Sequence, residues 1–238
     1  MDTKDTDSNI IGTTATDRSD SDIDKIRDEI LEATLPNVIF DGWSNQSLRD
    51  GTSMAGYDSH TAFRAFPGGI PELVDHFSDW ADRRMLEELA KHDLEAMKVR
   101  ERITLAIRSR LEVLEPHEDA VRRAITFLAL PNNVAQGARM VYRTVDAMWY
   151  AAGDTATDFN YYTKRGLLAA VLTSTTLYWL NDQSEDKRDT WAFLDRRIAD
   201  VMKVGRTTNR LSGLGNLVAH FPSPFRFARQ FRRRASGY

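Results

Sequence analysis

From Ile23 to about Val204, apolar residues return at helical spacing in nearly every segment, and no alternating pattern of the kind a half-buried strand needs competes with them. Ile23, Ile26, Ile30 and Ala33 form one stripe, ending near Asp41-Gly42. Two short segments follow, Ser44 to Ala55 and Ser59 to Phe66, joined by Gly56-Tyr57. Pro67-Gly68-Gly69 breaks the chain, and a longer helix begins near Pro71, a favoured first-turn position for proline. Its apolar face is Leu73, Val74, Phe77, Trp80, Ala81 and Met85. Further helices are predicted over Val99 to Leu114, Glu118 to Leu130, Asn133 to Ala152, Asp158 to Asn181 and Asp186 to Val204, with Pro116, Pro131 and Gly153 as stops. The expected fold class is all-α.

Charge is distributed unevenly along the 238 residues, although the net charge is only −3. Met1 to Asp24 holds seven Asp against Lys4 and Arg18, which reads as a disordered acidic tail over 1–23. Lys203 to Tyr238 holds eight Lys or Arg and no acid. There is no cysteine, hence no disulfide or thiolate chemistry. The N-terminus resembles neither a secretory signal nor a basic transit peptide, and no window reaches the length of a bilayer span. The expectation is a cytoplasmic bacterial protein.

Catalytic motifs are missing from the sequence. It holds no HExxH, CxxC, P-loop or GxGxxG, and Gly51 to Gly56 misses the nucleophile-elbow spacing by one residue. A di-iron carboxylate bundle needs paired Glu-x-x-His motifs, whereas Glu88 and His92 stand four apart. No metal, cofactor or enzymatic activity is expected. A hydrolase or oxidoreductase with an unrecognised site stays as an alternative.

The stretch Gly166 to Leu180, GLLAAVLTSTTLYWL, runs for fifteen residues without a charge. It is too short to cross a bilayer and too apolar for an ordinary surface helix. Such a helix is a central core helix, or is buried on one side and lines an apolar cavity on another. Ahead of it stands TDFNYYTKR, in which Asp158, Tyr161, Tyr162 and Arg165 share one helical face. Asp158 also suits a helix N-cap. Tyrosines beside arginine are typical of interface hot spots.

The order long helix, two short helices, break, long helix is that of a helix-turn-helix head, and Gly56-Tyr57-Asp58-Ser59-His60-Thr61-Ala62-Phe63-Arg64-Ala65-Phe66 resembles the recognition segment of TetR-type regulators. A closer resemblance rests on Asp146-Ala147-Met148-Trp149, Ala152-Gly153-Asp154, Thr157 to Arg165 and Asp189-Thr190-Trp191-Ala192-Phe193-Leu194. These are similar to the signature of the lipid-binding accessory family of coenzyme Q biosynthesis, the Coq-nine family. That resemblance implies a TetR-like fold without catalysis and an isoprenoid ligand. It also implies a supporting role for the di-iron demethoxyubiquinone hydroxylase.

Carried onto this chain, the resemblance makes Asp146, Met148, Asp158, Tyr161 and Tyr162 a patch for the hydroxylase, with Tyr161 standing where Trp is expected in many relatives; Trp149 and Arg165 are counted with it as partner-binding residues. It makes a prenylated quinone precursor the ligand of a cavity lined by Val134, Met140, Val141, Leu167, Ala170, Val171, Thr173, Ser174 and Leu177. The expected divisions are a head over 24–77, a lipid-binding domain over 78–205 and a basic amphipathic tail over 206–238.

That tail spaces Leu211, Leu214, Leu217 and Phe221 near-helically, then interleaves Phe225, Phe227 and Phe231 with Arg226, Arg229 and Arg232. Arginine with phenylalanine and leucine is the composition of an interfacial segment drawn to an anionic membrane surface. Nucleic acid, or plain solvation, are the alternatives. The expected location is the inner face of the bacterial membrane. The alternative function is a TetR-type regulator sensing an apolar ligand. Against it, Ser44 to Phe66 holds only Arg49 and Arg64, offset by Asp50 and Asp58, a weak footprint for phosphates, so DNA is not an expected partner. A homodimer follows from fold analogy alone.

Overall fold

The computed structural model describes the backbone of residues 10–153 and 159–211, and the side chains of residues 22–153 and 163–201. Nine α-helices occur among them: α1 (Ile10–Asp41), α2 (Asn45–Met54), α3 (Ser59–Ala65), α4 (Ile70–Leu89), α5 (Val99–Leu114), α6 (Glu118–Leu128), α7 (Val134–Ala151), α8 (Phe159–Trp179) and α9 (Arg188–Leu211). No strand occurs among the described residues, so the all-α reading holds.

Local chemistry explains the boundaries. α1 ends at Gly42, whose φ of 66° and N–H bond to Val38 O make it the left-handed residue that closes a helix. Ser44 and Ser47 cap α2 reciprocally, and the Asp58 carboxylate accepts from Thr61 N at 2.8 Å to start α3. At the α8–α9 corner, Asp182 accepts from Ser184 N, Thr190 N and Thr190 Oγ1. Slight burial pushes that carboxyl up, but these hydrogen bonds outweigh it and hold it well below the usual carboxylate range.

The chain divides into two units, residues 1–195 and residues 196–238. In the first, an aromatic chain runs through the core: Trp43 to Phe77 at 5.2 Å, Phe77 to Trp80 at 6.2 Å and Trp80 to His117 at 5.6 Å between centroids. Trp43 Nε1 donates to Ala120 O at 3.0 Å, tying the chain after α1 to α6. In the second, Ile198 is buried and Arg197 pairs with Asp200 at 2.9 Å.

Three expected divisions differ from this. α1 starts at Ile10, inside the stretch read as a disordered tail; extending an existing helix avoids the cost of a new nucleus, and no proline interrupts residues 10–23. The 77/78 boundary falls inside α4, which buries residues from Leu73 to Met85 in one continuous core. The 205/206 boundary falls inside α9.

Candidate functional site

α8 does not bury its whole circumference. Leu168, Val171, Leu172, Thr175, Trp179 and Leu180 are buried, whereas Ala170, Thr173 and Leu177 are exposed. Beside it lies a cavity of about 210 Å³ walled by α4, α5, α6, α7 and α8. Of the residues expected there, Met140, Val141, Thr173 and Leu177 line it. Val134, Leu167, Ala170, Val171 and Ser174 do not: Val134 and Ala170 face outward and Val171 is packed in the core. Ser174 turns its hydroxyl back onto Ala170 O at 2.7 Å, so this oxygen serves the helix.

Most of the wall comes from helices that the sequence did not single out. α4 supplies Val74, Phe77 and Ser78, α5 supplies Arg110 and Leu114, and α6 supplies Val121, Ala124, Ile125 and Leu128. The apolar periodicity of these helices was visible, but not which apolar residues face a shared void. Gly137 lets α7 approach α6, since a Cβ there would lie 3.3 Å from Leu128 Cβ.

One side of the cavity is polar. Asp82 is buried and accepts from Arg110 Nε at 2.7 Å and from Thr144 Oγ1 at 2.7 and 3.0 Å. Arg110 Nη2 donates to Ser78 Oγ at 3.1 Å. Ser78, Arg110 and Thr144 all belong to the wall. Low-dielectric surroundings favour such a paired, hydrogen-bonded cluster over lone charges.

The expected partner patch is only partly a surface. Arg165, 5% exposed, donates its Nε to Asp146 Oδ1 at 2.6 Å, while Asp146 keeps nearly half its side chain in solvent. Lys164 Nζ sits 5.5 Å from the centroid of the half-buried Trp149 ring. Met148 is a correction: it is fully buried, because it shares the inner face of α7 with Val145 and Thr144, and cannot touch a partner. Asp158 lies outside the described residues. Tyr161 and Tyr162 lie in the first turns of α8, with side chains outside them.

Arg102 holds the chain leading to this patch, donating to Ala152 O at 3.0 Å and Met97 O at 3.0 Å. Of the expected membrane-binding residues, Leu211 is the last residue of α9, and Leu214, Leu217, Phe221, Phe225, Arg226, Phe227, Arg229, Phe231 and Arg232 lie outside the described residues. Among the described residues no helix is long and apolar enough to cross a membrane. Nor does any group of three His, Cys, Asp or Glu there suit a metal ion.

On the head, the exposed side of α3 carries His60, Phe63 and Arg64, with Phe63 69% exposed. Arg49 Nη2 is turned onto Gln46 Oε1 at 2.7 Å, and Gln46 in turn donates to Asp50.

Comparison with known proteins bears on both halves of this picture. A crystal structure of a TetR transcriptional regulator from Nitrosomonas europaea superposes with a TM-score of 0.63 at 23% identity, over 75% of this chain and 98% of that one. It shows the fold. The COQ9 family profile matches residues 134–205, which include α7 and α8. The chain is 35% identical over 199 residues to ubiquinone biosynthesis protein COQ9, mitochondrial, of Rattus norvegicus, covering 81% of this chain and 64% of that protein. The Homo sapiens protein of the same name is 34% identical, with 81% and 62% covered. The chain thus spans somewhat under two thirds of these two relatives. It is 32% identical to COQ9-B, mitochondrial, of Xenopus laevis, covering 82% of this chain and 69% of that one. With an apolar cavity beside α8 and a TetR-like fold, the chain belongs to the COQ9 family.

Proposed function

We propose that the protein is a non-catalytic, isoprenoid-binding component of ubiquinone biosynthesis. It takes a prenylated quinone precursor from the membrane and hands it to a partner hydroxylase of the di-iron demethoxyubiquinone type. The observation that carries this reading is the cavity of about 210 Å³ walled by α4 to α8, mostly apolar and lined in part by the exposed Thr173 and Leu177. The relatives' names supply the pathway.

A long prenyl chain keeps such a precursor in the bilayer. Apolar burial contributes on the order of 25 cal/mol per Å², so a dry pocket offsets part of the cost of lifting the ring out. The volume is below the roughly 300–1,000 Å³ usual for ligand pockets, so it receives one end of the lipid and not the whole chain. The basic tail holds the protein at the inner face of a bacterial membrane, and the surface around Asp146, Trp149 and the start of α8 docks the hydroxylase.

The test is mass spectrometry of the organic extract from protein purified out of a ubiquinone-making bacterium. Enrichment of a prenylated phenol or quinone over a TetR-fold control protein is expected. Absence of enrichment overturns the lipid reading and directs attention to DNA binding by the head.

A further inference from the structure

Of the described residues that line the cavity, Thr173 and Leu177 are exposed and the others are buried or half-buried. The two stand one turn apart on α8. Leu177 has a second role in the surface. With Ser174, Tyr178, Asn181 and Gln183 it also lines a recess of about 630 Å³ at the α8–α9 corner. A leucine that is 46% exposed thus borders both the cavity and the recess outside it.

The backbone around this leucine is held in place. Asn181 Nδ2 donates to Leu177 O at 2.7 Å. Lys187 Nζ donates to Asp182 O at 3.1 Å and pairs with Glu118 of α6 at 2.6 Å. The ring of Tyr178 stacks on Phe193 of α9 with centroids 4.6 Å apart, and Trp179 is fully buried. The part free to move is therefore the Leu177 side chain, since rotamers at exposed sites interconvert in picoseconds to nanoseconds.

Size makes a passage necessary. A cavity of about 150 Å³ holds benzene, so about 210 Å³ holds roughly one or two isoprene units. A longer chain with its end in the cavity has to cross the lining, and the solvent-facing part of that lining is on α8. We propose that the Leu177 side chain gates the cavity: the end of a prenyl chain enters past it, and the portion that the cavity cannot hold lies in the recess at the α8–α9 corner. This rests on the lipid-binding reading above and names the route of uptake and release. Covering Leu177 and the Tyr178 ring removes apolar surface from water, which favours a filled recess. Release requires a rotamer change at one residue and leaves the core and the corner intact.

The chain has no cysteine, so a thiol can be placed at one position at a time and its alkylation by a maleimide followed. Leu177→Cys reports on the gate and Gln183→Cys on the recess. Phe40→Cys, at a side chain 81% exposed near the end of α1, is the control. Farnesol is the probe, with its affinity for each variant measured by calorimetry. At about nine times the Kd it should slow labelling of Leu177→Cys and Gln183→Cys by about tenfold, as mass action requires, and leave Phe40→Cys unchanged. In stopped flow with a dansyl-labelled farnesyl probe, Leu177→Ala should raise association and dissociation rates together, each by about fivefold or more, where loss of a wall contact changes dissociation alone. Unchanged labelling of Leu177→Cys, or a change in dissociation alone, overturns the gate and leaves the lipid reading standing. Protection of Leu177→Cys without Gln183→Cys overturns the recess. Failure of the unaltered protein to bind farnesol overturns the lipid reading and the gate with it.

Discussion

At Gly51, α2 crosses α1 so closely that a Cβ would lie 2.0 Å from Thr34 Oγ1 and 2.6 Å from Thr34 Cα. Thr34 is itself fully buried, with its hydroxyl bonded to Ile30 O at 2.7 Å, so neither side can yield. Gly51→Ala should therefore destabilise the fold by about 3 kcal/mol, the upper end of overpacking penalties, read as a lower urea midpoint at unchanged slope. Two histidines set the response to acid. Burial, reinforced by the Arg27 charge and opposed by Asp28, holds His76 below the ordinary histidine range. Burial does the same to His117, with Glu32 opposing and Arg84 adding. Each imidazole takes up its proton more readily in the unfolded chain, so stability rises with pH through the window between the folded value and about 6.5 and is lost below it. The melting temperature should fall as pH drops from about 7.5 to about 5.5, and His76→Gln with His117→Gln should flatten that slope. An equally steep slope in the double variant would rule these residues out as its source.

At the scale of the helix, α8 joins two roles. Its buried side packs Leu168, Val171, Leu172 and Trp179 into the core, while the exposed Thr173 and Leu177 line the cavity. Both readings of the charge-free stretch hold, because a helix has enough circumference to serve core and cavity together. Its first turns carry the proposed contact with the hydroxylase. Asp158→Ala with Tyr162→Ala should abolish capture of a demethoxyubiquinone hydroxylase while the variant keeps its helical circular-dichroism spectrum. Met148→Ala should do the reverse. It should cost about 2–5 kcal/mol through the cavity it leaves in the core and retain capture at a temperature where the variant is folded. Normal capture by the Asp158/Tyr162 variant would remove the patch from the proposal.

For the whole molecule, the proposed function needs something that holds the protein at a membrane. No described helix can cross a bilayer, and the relatives are named as mitochondrial proteins. Eight basic residues without an acid from Lys203 onward supply the proposed attachment, each worth on the order of 1 kcal/mol near anionic lipid. Deleting residues 212–238 leaves α9 as described. It should abolish flotation with phosphatidylglycerol-rich vesicles, while binding of the full chain should weaken with salt. Retained flotation of the truncated protein would place the membrane contact elsewhere.

The helices were legible in the sequence because their signals are local. Proline, glycine and capping serines act within a turn or two, so the reading of Val99 to Leu114 coincides with α5, and Ser59 to Phe66 ends one residue beyond α3. Family membership was equally legible, carried by short runs such as Thr157 to Arg165 and Asp189 to Leu194. The tertiary structure alone decided which apolar residues enclose space and which polar residues meet there. Met148 and Val134 differ little as apolar letters, yet one is sealed in the core and the other faces outward, according to which side of α7 meets α4 and α8. Asp82, Arg110 and Thr144 are far apart in the chain, and no periodicity relates them. They form one cluster because α4, α5 and α7 pack together, and burial then leaves a paired arrangement as the affordable state for their charges.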